Sequence, residues 1–420
     1  MEVHRVLGDI SVAKGQNREA LEHYFNALVS DPYCLEAIAK IKALHDVVQM
    51  DMDMDFYPVI GIKQYCQQHQ QGASLTRVML GDSSYGELVE LNNVHALGQS
   101  SVLFSDEQYY LVNDDELADV QRSDIVSTTL ARNILGFVAS DEEKKPHRVL
   151  AVFPREVRAI PRCIILNNRA SDNYFHWLIE TLPNWMLIES CREYDDYPVL
   201  VHGHMPSQHY EALRHLVGEK RTITLAESNK TYQIDQAIIP LPLSHILFDP
   251  LPGVIPQEHD VRYHPAAIAY LQTRLGCAHT EEMSLGRKIY LSRKSSRLGK
   301  RKMRNQDEVE ALFVHHGFEL IDTAELSFDE QVALFASCRI VAGPSGASFA
   351  NLVFCHPDCQ VILFAQKENN LGIYYRHLAK VCGLDKMQEV QYSVPIKMKD
   401  QSWFHDDYEL PLDDIRTMMS

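Results

Sequence analysis

Apolar residues along this chain gather into short runs of strand length, separated by stretches that read as helices. Val149 to Phe153, Cys163 to Leu166, Val199 to His202 and Ala237 to Pro240 are such runs, and Tyr174 to Cys191 and Gln208 to Val217 are the helical stretches between them. Strand and helix taking turns from about Phe56 to Pro250 predicts a parallel sheet with helices on its faces. A proline-rich segment, Leu247 to Gln257, reads as a linker. A second alternating unit follows it. Helices are expected at Pro265 to Gly276, Asp307 to His316, Ser327 to Ser337 and Ser348 to Cys355. Strands are expected at Lys288 to Ser292, Glu319 to Asp322, Arg339 to Ala342 and Gln360 to Phe364. Two α/β units joined by a linker leave a cleft between them.

The first fifty residues follow a different pattern. Leu7, Gly8, Ala20, Tyr24, Ala27 and Pro32 fall at the spacing of a tetratricopeptide (TPR) unit, two helices joined by a turn at Gly15 to Asn17. Small Ala20 and Ala27 let the helices approach, and Pro32 ends the second. Leu35 to Leu44 reads as the first helix of a further repeat. One and a half repeats cannot bury their own apolar face, so this TPR-like hairpin must dock on the main body, on a protein partner or on a second copy. An ordinary helical hairpin would show the same pattern. The expected division is therefore 1–50 helical, 51–250 and 251–400 Rossmann-like, and 401–420 a C-terminal tail.

Composition changes this picture in three ways. At 420 residues, with 45% hydrophobic and 23% charged residues, the chain is a multidomain globular protein. A formal net charge of −17 argues against general nucleic-acid binding. The nine cysteines are scattered and odd in number, unlike a secreted disulfide framework. Neither a signal peptide nor a membrane-spanning run is legible. The expectation is a cytoplasmic enzyme, able to work peripherally at the inner membrane face.

Three constellations carry candidate chemistry. In Arg339-Ile-Val-Ala-Gly-Pro-Ser-Gly-Ala-Ser-Phe-Ala-Asn351 a strand ends at Gly343, turns through Ser345 and Gly346, and opens into a helix. Such a junction at the carboxyl end of a parallel strand can offer backbone N–H groups and a helix terminus to an anion, or be a plain turn. Between Arg287 and Arg304 stand nine basic residues and no acidic one: Arg287, Lys288, Arg293, Lys294, Arg297, Lys300, Arg301, Lys302 and Arg304. The cluster can clamp a leaving diphosphate, bind a polyanion or form a solvated loop, and Arg293 and Arg304 are the members expected to face inward. In Asn173-Tyr174-Phe175-His176-Trp177-Leu178-Ile179-Glu180, His176 and Glu180 share a helix face, as a carboxylate-oriented general base or as a structural pair.

Two further motifs compete with these. Asp51-Met-Asp-Met-Asp55 offers overlapping Asp-x-Asp triplets, a divalent-cation arrangement that follows a candidate strand end at Val47-Val48. Cys355-His-Pro-Asp-Cys359 mixes zinc-ligand residues without a matching second half.

The order of these pieces resembles glycosyltransferase family 61. The matching landmarks are Asn173-Tyr-Phe-His176-Trp with Leu182-Pro183, Ile289-Tyr-Leu-Ser-Arg293, Arg304-Asn305, Gly317-Phe318 and Gln331 before Leu334-Phe335-Ala336. Gly343-Pro-Ser-Gly346-Ala347 with Asn351 and Phe354 completes the set, over roughly residues 145 to 370, and the resemblance is to a bacterial-type member. The resemblance implies a GT-B-like α/β fold, two Rossmann-like domains facing a cleft, preceded here by the TPR-like hairpin. It implies inverting transfer of a sugar from a nucleotide-sugar to a hydroxyl of a glycan, polysaccharide or protein-linked acceptor, with no tightly bound metal or other cofactor. Donor-binding positions would be Arg293, Lys294, Arg304, Asn305, Gln331, Gly343, Ser345, Gly346, Ala347 and Asn351. His176 with Glu180 would be catalytic, and Asn173, Tyr174 and Trp177 would stand on the acceptor side. Family members usually carry a histidine where this chain has Ser345. Two other readings stay open: a scaffold with a degenerate transferase body, and a metal-dependent transferase using Asp51 to Asp55.

Overall fold

The structure, a computed structural model, describes residues 2–30, 35–48, 52–80, 84–98, 103–105, 109–112, 134–139, 146–167, 170–227, 230–246, 255–276, 286–293, 302–367, 370–392 and 407–419. They form two compact units. The first comprises Met1–Ser171, Leu187–Met205 and Lys220–Leu241, and the second Asp172–Met186, Pro206–Glu219 and Pro242–Ser420. This interleaving departs from the expected division near residue 250. His176 and the helix after residue 206, placed in the first domain by chain order, fold into the second unit.

The first unit opens with helices α1 (Glu2–Ala13), α2 (Asn17–Ser30) and α3 (Leu35–Val48). Gly8 lies so close to the Tyr24 ring that a Cβ there would collide with it. Ala20 and Ala27 are fully buried, and the Tyr24 hydroxyl donates to Asp9 at 2.6 Å. Val47-Val48 closes α3 rather than a strand, and Pro32 lies outside the described residues.

The rest of this unit differs from the expected Rossmann-like half. Its described strands form one mixed sheet: β1 (Met52–Gly61), β2 (Ala73–Met79), β3 (Tyr85–Leu97), β4 (Leu103–Ser105), β5 (Tyr110–Val112), β6 (Ile134–Ala139), β7 (Pro146–Pro154), β8 (Val157–Ile165), β9 (Val199–His202), β10 (Ile223–Ala226) and β11 (Thr231–Pro240). The order is β10-β9-β8-β11-β3-β4-β5-β1-β7-β6, with β2 also on β3. Pairs β2–β3, β3–β4, β3–β11, β4–β5, β1–β7 and β6–β7 are antiparallel. Antiparallel neighbours need no crossover helix, so strand–helix alternation is missing there. A parallel run, β11-β8-β9-β10, survives at one edge and contains the strands read from apolar runs at Cys163, Val199 and Ala237. Val89, Leu91, Cys163, Ile234 and Ala237 build the core beneath it.

The second unit is the α/β body the sequence predicts. Strands β14 (Arg287–Leu291), β15 (Glu319–Ile321), β16 (Cys338–Pro344), β17 (Gln360–Gln366) and β18 (Met387–Tyr392) are all parallel, in the order β15-β14-β16-β17-β18. Runs such as Ile289-Tyr-Leu and Val361-Ile-Leu-Phe are buried on both faces, as a parallel sheet covered by helices requires. Helices α5 (Ser207–Val217), α6 (Pro265–Leu275), α7 (Gln306–His315), α8 (Phe328–Ala336) and α9 (Gly372–Val381) belong to this unit, while the short α4 (Ile62–Gln68) belongs to the first. A two-stranded ribbon, β12 (His245–Ile246) with β13 (Val261–Arg262), precedes α6.

Two expectations change within this unit. Residues 401–420, read as a tail, include Tyr408, Leu410 and Ile415, which are buried in the core around Tyr290, Phe313 and Phe364, and α10 (Leu412–Met419). The expected helix Ser348 to Cys355 winds instead as a 3₁₀ segment, Ala347–Phe354. Phe349, Ala350, Asn351, Leu352, Val353 and Phe354 are all buried, so packing on every side sets its winding. Most of the linker, 247–254, lies outside the described residues. Among those described, no helix is long and apolar enough to cross a membrane.

Candidate active site

Strand order decides where a ligand can sit in the second unit. From β14 the chain moves to β15 on one side, then crosses back through α8 to β16 on the other. The carboxyl ends of β14 and β16 therefore flank a topological switch point, the place where ligands bind in open parallel sheets. A cavity of about 670 Å³ opens there. Its walls are Leu291, Ser292 and Arg293 after β14, Asp322 to Glu325 after β15, Pro344 and Gly346 to Ser348 after β16, and Pro206 to Gln208 at the start of α5.

The glycine bend and the arginine meet at this point. Gly343 passes so near β14 that an added Cβ would lie 2.8 Å from the Leu291 Cβ, which requires glycine. Ser345 anchors the bend through its N–H, which donates to the Phe364 carbonyl at 2.9 Å. Arg293 donates from Nη1 to the Ser345 carbonyl at 3.0 Å. One of the five guanidinium N–H donors thus fixes the side chain beside Gly346. The 3₁₀ segment starts next, and its first N–H groups fall outside its own hydrogen-bond ladder.

The rest of the basic cluster is dispersed. Arg287 makes a bidentate pair with Glu319 at 2.9 and 2.5 Å, where β14 and β15 begin. Lys288 donates to the His316 carbonyl at 3.4 Å. Arg304 is exposed and does not line the cavity; its backbone N–H donates to the Tyr408 carbonyl at 2.8 Å. Lys294, Arg297, Lys300 and Arg301 lie outside the described residues. The two-arginine arrangement expected from sequence is therefore reduced, among the described residues, to Arg293.

Other predicted donor positions turn out to brace the site. Asn305 commits its carboxamide to Leu410, donating to the carbonyl at 2.8 Å and accepting from the N–H at 3.1 Å. Asn351, fully buried, accepts from the Tyr174 hydroxyl at 2.7 Å and donates to Gln331 at 2.8 Å. Gln331 in turn donates to the Thr323 carbonyl at 3.0 Å. A buried polar chain thus joins the His176 segment to the wall of the cavity. Thr323 and Ser348 lie hydroxyl to hydroxyl at 2.6 Å, and Gln208 donates to the carbonyls of Leu326 and Ala324 at 3.0 and 3.3 Å. Ser292, Gln208, Asp322, Thr323 and Ser348 are wall residues that sequence reasoning missed. The signal that could have found Ser292, Asp322 and Thr323 was position at the carboxyl end of a parallel strand.

His176 sits at a break in what was expected to be one helix, Tyr174 to Cys191. After a single α turn at Tyr174–His176 the chain winds as a π turn, Trp177–Thr181, and then tightens through Leu182–Asn184. Pro183 is the reason: it has no N–H for a helical bond, and its ring displaces the carbonyl one turn before it. Asn184 rescues the Glu180 carbonyl with its side chain at 2.8 Å. Asn173 caps the first turn by accepting the Phe175 N–H at 2.9 Å. His176 and Glu180 are both buried, with Nδ1 on Oε2, while Oε1 accepts the Ile246 N–H at 2.7 Å. A carboxylate only accepts, so Nδ1 carries the proton and Nε2 is the basic nitrogen. Tyr263 is near; burial, then the Glu180 charge, pushes its phenol well above the usual range.

Residues 174–362 match the family model described as Glycosyltransferase 61. The chain carries a glycosyltransferase family 61 domain. A search of curated proteins finds no match. The matched stretch takes in the His176 segment, the switch point and strands β14 to β16 whole, and the family is one of glycosyltransferases. Trp177, expected on its acceptor side, is fully buried, lies parallel to His209 and donates to that residue's carbonyl at 3.1 Å, so it serves the core. Tyr174 is held by Asn351, and burial pushes its phenol up. Among the described residues no three His, Cys, Asp or Glu side chains are grouped to hold a metal ion. Asp51 and the side chains of Asp53 and Asp55 fall outside the described set. Cys355 and Cys359 are buried, and burial holds the Cys355 thiol far above its usual range, in its neutral form.

Proposed function

We propose that the switch-point cavity holds the diphosphate of a nucleotide-sugar, and that His176 is the general base of a single-displacement, inverting transfer without a resident metal. The observation that carries this reading is Arg293 on the Ser345 carbonyl, which fixes a cationic fork beside the glycine bend on the cavity wall. In the proposed step an acceptor hydroxyl gives its proton to His176 Nε2 as its oxygen attacks the anomeric carbon. The bond from that carbon to the diphosphate breaks, and the charge left on the phosphate is met by Arg293 and the N–H groups after Gly346. Glu180 holds the tautomer and stabilises the imidazolium that forms. The acceptor in this reading is a hydroxyl of a glycan, polysaccharide or protein-linked sugar.

The two halves of the proposal separate by experiment. His176→Ala should lower transfer about 10²–10⁴-fold and leave calorimetric affinity for nucleoside diphosphates unchanged. Arg293→Ala should instead weaken that affinity about tenfold or more. Near-native turnover of the first variant would remove the base. Native affinity in the second would remove the diphosphate site.

A further inference from the structure

The outer face of α1 is apolar where the end helix of a stack is ordinarily polar. Among the described residues twelve large apolar side chains are exposed, and five of them, Val3, Val6, Leu7, Ile10 and Val12, lie on this one helix. At about 3.6 residues per turn, Val3, Val6, Leu7 and Ile10 fall within roughly 100° of the helix circumference, so they form one stripe. Gly8, which meets the Tyr24 ring, lies on the other side and sets α1 against α2. The charges at the middle of α1 are taken up by α3: Arg5 pairs with Glu36, and Asp9 with Lys40. The stripe itself carries no charge.

Stacked helical repeats bury the face of each unit on its neighbour, and a terminal helix stays soluble by presenting a polar outer face. Here α2 and α3 reach strand β6 of the sheet, whereas the outward stripe of α1 meets solvent. The pattern also says what fits it. Positions 3, 6, 7 and 10 read the same in both directions about a point between Val6 and Leu7. A second α1 laid antiparallel across that point sets Val3 of one copy against Ile10 of the other, and Val6 against Leu7. Such a patch is complementary to itself, as a two-fold interface requires. The antiparallel arrangement also brings the positive N-terminal end of each helix to the negative C-terminal end of the other. The four side chains, 37–71% exposed, offer on the order of 300 Å² of apolar surface per copy. A standard stable complex buries about 800 Å² per partner, so the stripe supports a pair that separates on dilution.

We infer that two copies of this chain associate through α1, antiparallel about a two-fold axis between Val6 and Leu7, in a dimer that dissociates on dilution. The helix belongs to the first unit, and none of its residues takes part in the proposed reaction.

The test is sedimentation velocity on the full chain from low micromolar to several hundred micromolar. The native mass should rise from one chain to two over that range and stop there. Val6→Glu and Leu7→Lys each place a charge in the stripe and should raise the dimer dissociation constant at least about tenfold. Both positions are exposed in the single chain, so the melting temperature of the dilute variants should stay native. An equimolar mixture of the two variants should pair again, because the antiparallel register sets the new carboxylate of one copy against the new ammonium of the other. A native chain that stays single throughout overturns the inference, as does a Val6→Glu variant that pairs like the native chain. A mass that climbs past two chains overturns the closed pair, and a mixture no better paired than its components overturns the register.

Discussion

Asn351 offers the sharpest quantitative test of how the site is braced. Its carboxamide is fully buried and bridges the Tyr174 hydroxyl at 2.7 Å and the Gln331 carboxamide at 2.8 Å. Asn351→Leu keeps the volume roughly constant and leaves two polar groups without their partner. Gln331 cannot turn to compensate, because its nitrogen is tied to the carbonyls of Thr323 and Leu326 at 3.0 and 3.3 Å. Each orphaned group costs about 1–3 kcal/mol, so the variant should lose roughly 2–6 kcal/mol of stability. Tyr174→Phe removes one of the orphans in advance. The double variant should therefore be about 1–3 kcal/mol more stable than the sum of the two single losses. Urea unfolding followed by tryptophan fluorescence suits the question, because Trp177 and Trp185 both lie in the second unit. Strict additivity of the two substitutions, or a loss below about 1 kcal/mol for Asn351→Leu, would refute the buried chain as drawn.

Three further outcomes follow from the same structure. Gly343→Ala puts a methyl 2.8 Å from the Leu291 Cβ; overpacking there should cost about 1–3 kcal/mol and weaken diphosphate binding, and an unchanged melting temperature would contradict the close approach. His264 caps α6 by accepting the Ala266 N–H on Nδ1 at 3.2 Å, which only the neutral ring can do, and burial, then Arg262, hold its pKa below the usual value. Its contribution is complete above the ordinary imidazole pKa of about 6.5 and is lost as pH falls through the lowered folded value. The stability of the native chain relative to His264→Asn should accordingly decline between neutral and mildly acid pH, and a flat difference would sink the assignment. Arg287→Ala should leave diphosphate affinity untouched by calorimetry, since that side chain is committed to Glu319 where β14 begins; a weakening comparable to that in Arg293→Ala would restore the wider cationic cluster to the site.

Legibility in the sequence followed burial. The strands around Val199, Ile289, Val341 and Val361 announce themselves because both faces of a parallel sheet are covered and the residues at their centres are apolar and buried. β18 is Met-Gln-Glu-Val-Gln-Tyr, an edge strand with one neighbour and largely polar faces, and it gave no apolar run. β3 mixes polar and apolar residues over Tyr85–Leu97, and one of its antiparallel partners, β11, lies far away in sequence. At the site, Arg293 and the glycine bend could be read because each sits directly on a strand end. Asn305, Gln331 and Asn351 belong to the same motif for another reason: they hold segments together. Asn305 reaches Leu410, and Asn351 reaches Tyr174, by contacts that local sequence does not encode. A family motif records what the fold needs as well as what the ligand touches.

The interleaving of the two units bears on how the polypeptide must be made. Tyr174 leaves the ribosome 177 residues ahead of Asn351, its hydrogen-bond partner. At about 5–20 residues per second the wait is roughly 9–35 s. During it the His176 segment, with Phe175, Trp177, Leu178 and Ile179 all destined for burial, has no finished sheet to settle on. Synthesis of the second half thus sets the earliest moment at which the buried His176–Glu180 pair can be packed, and a nascent chain stalled before residue 351 presents an apolar stretch that a chaperone would have to shield.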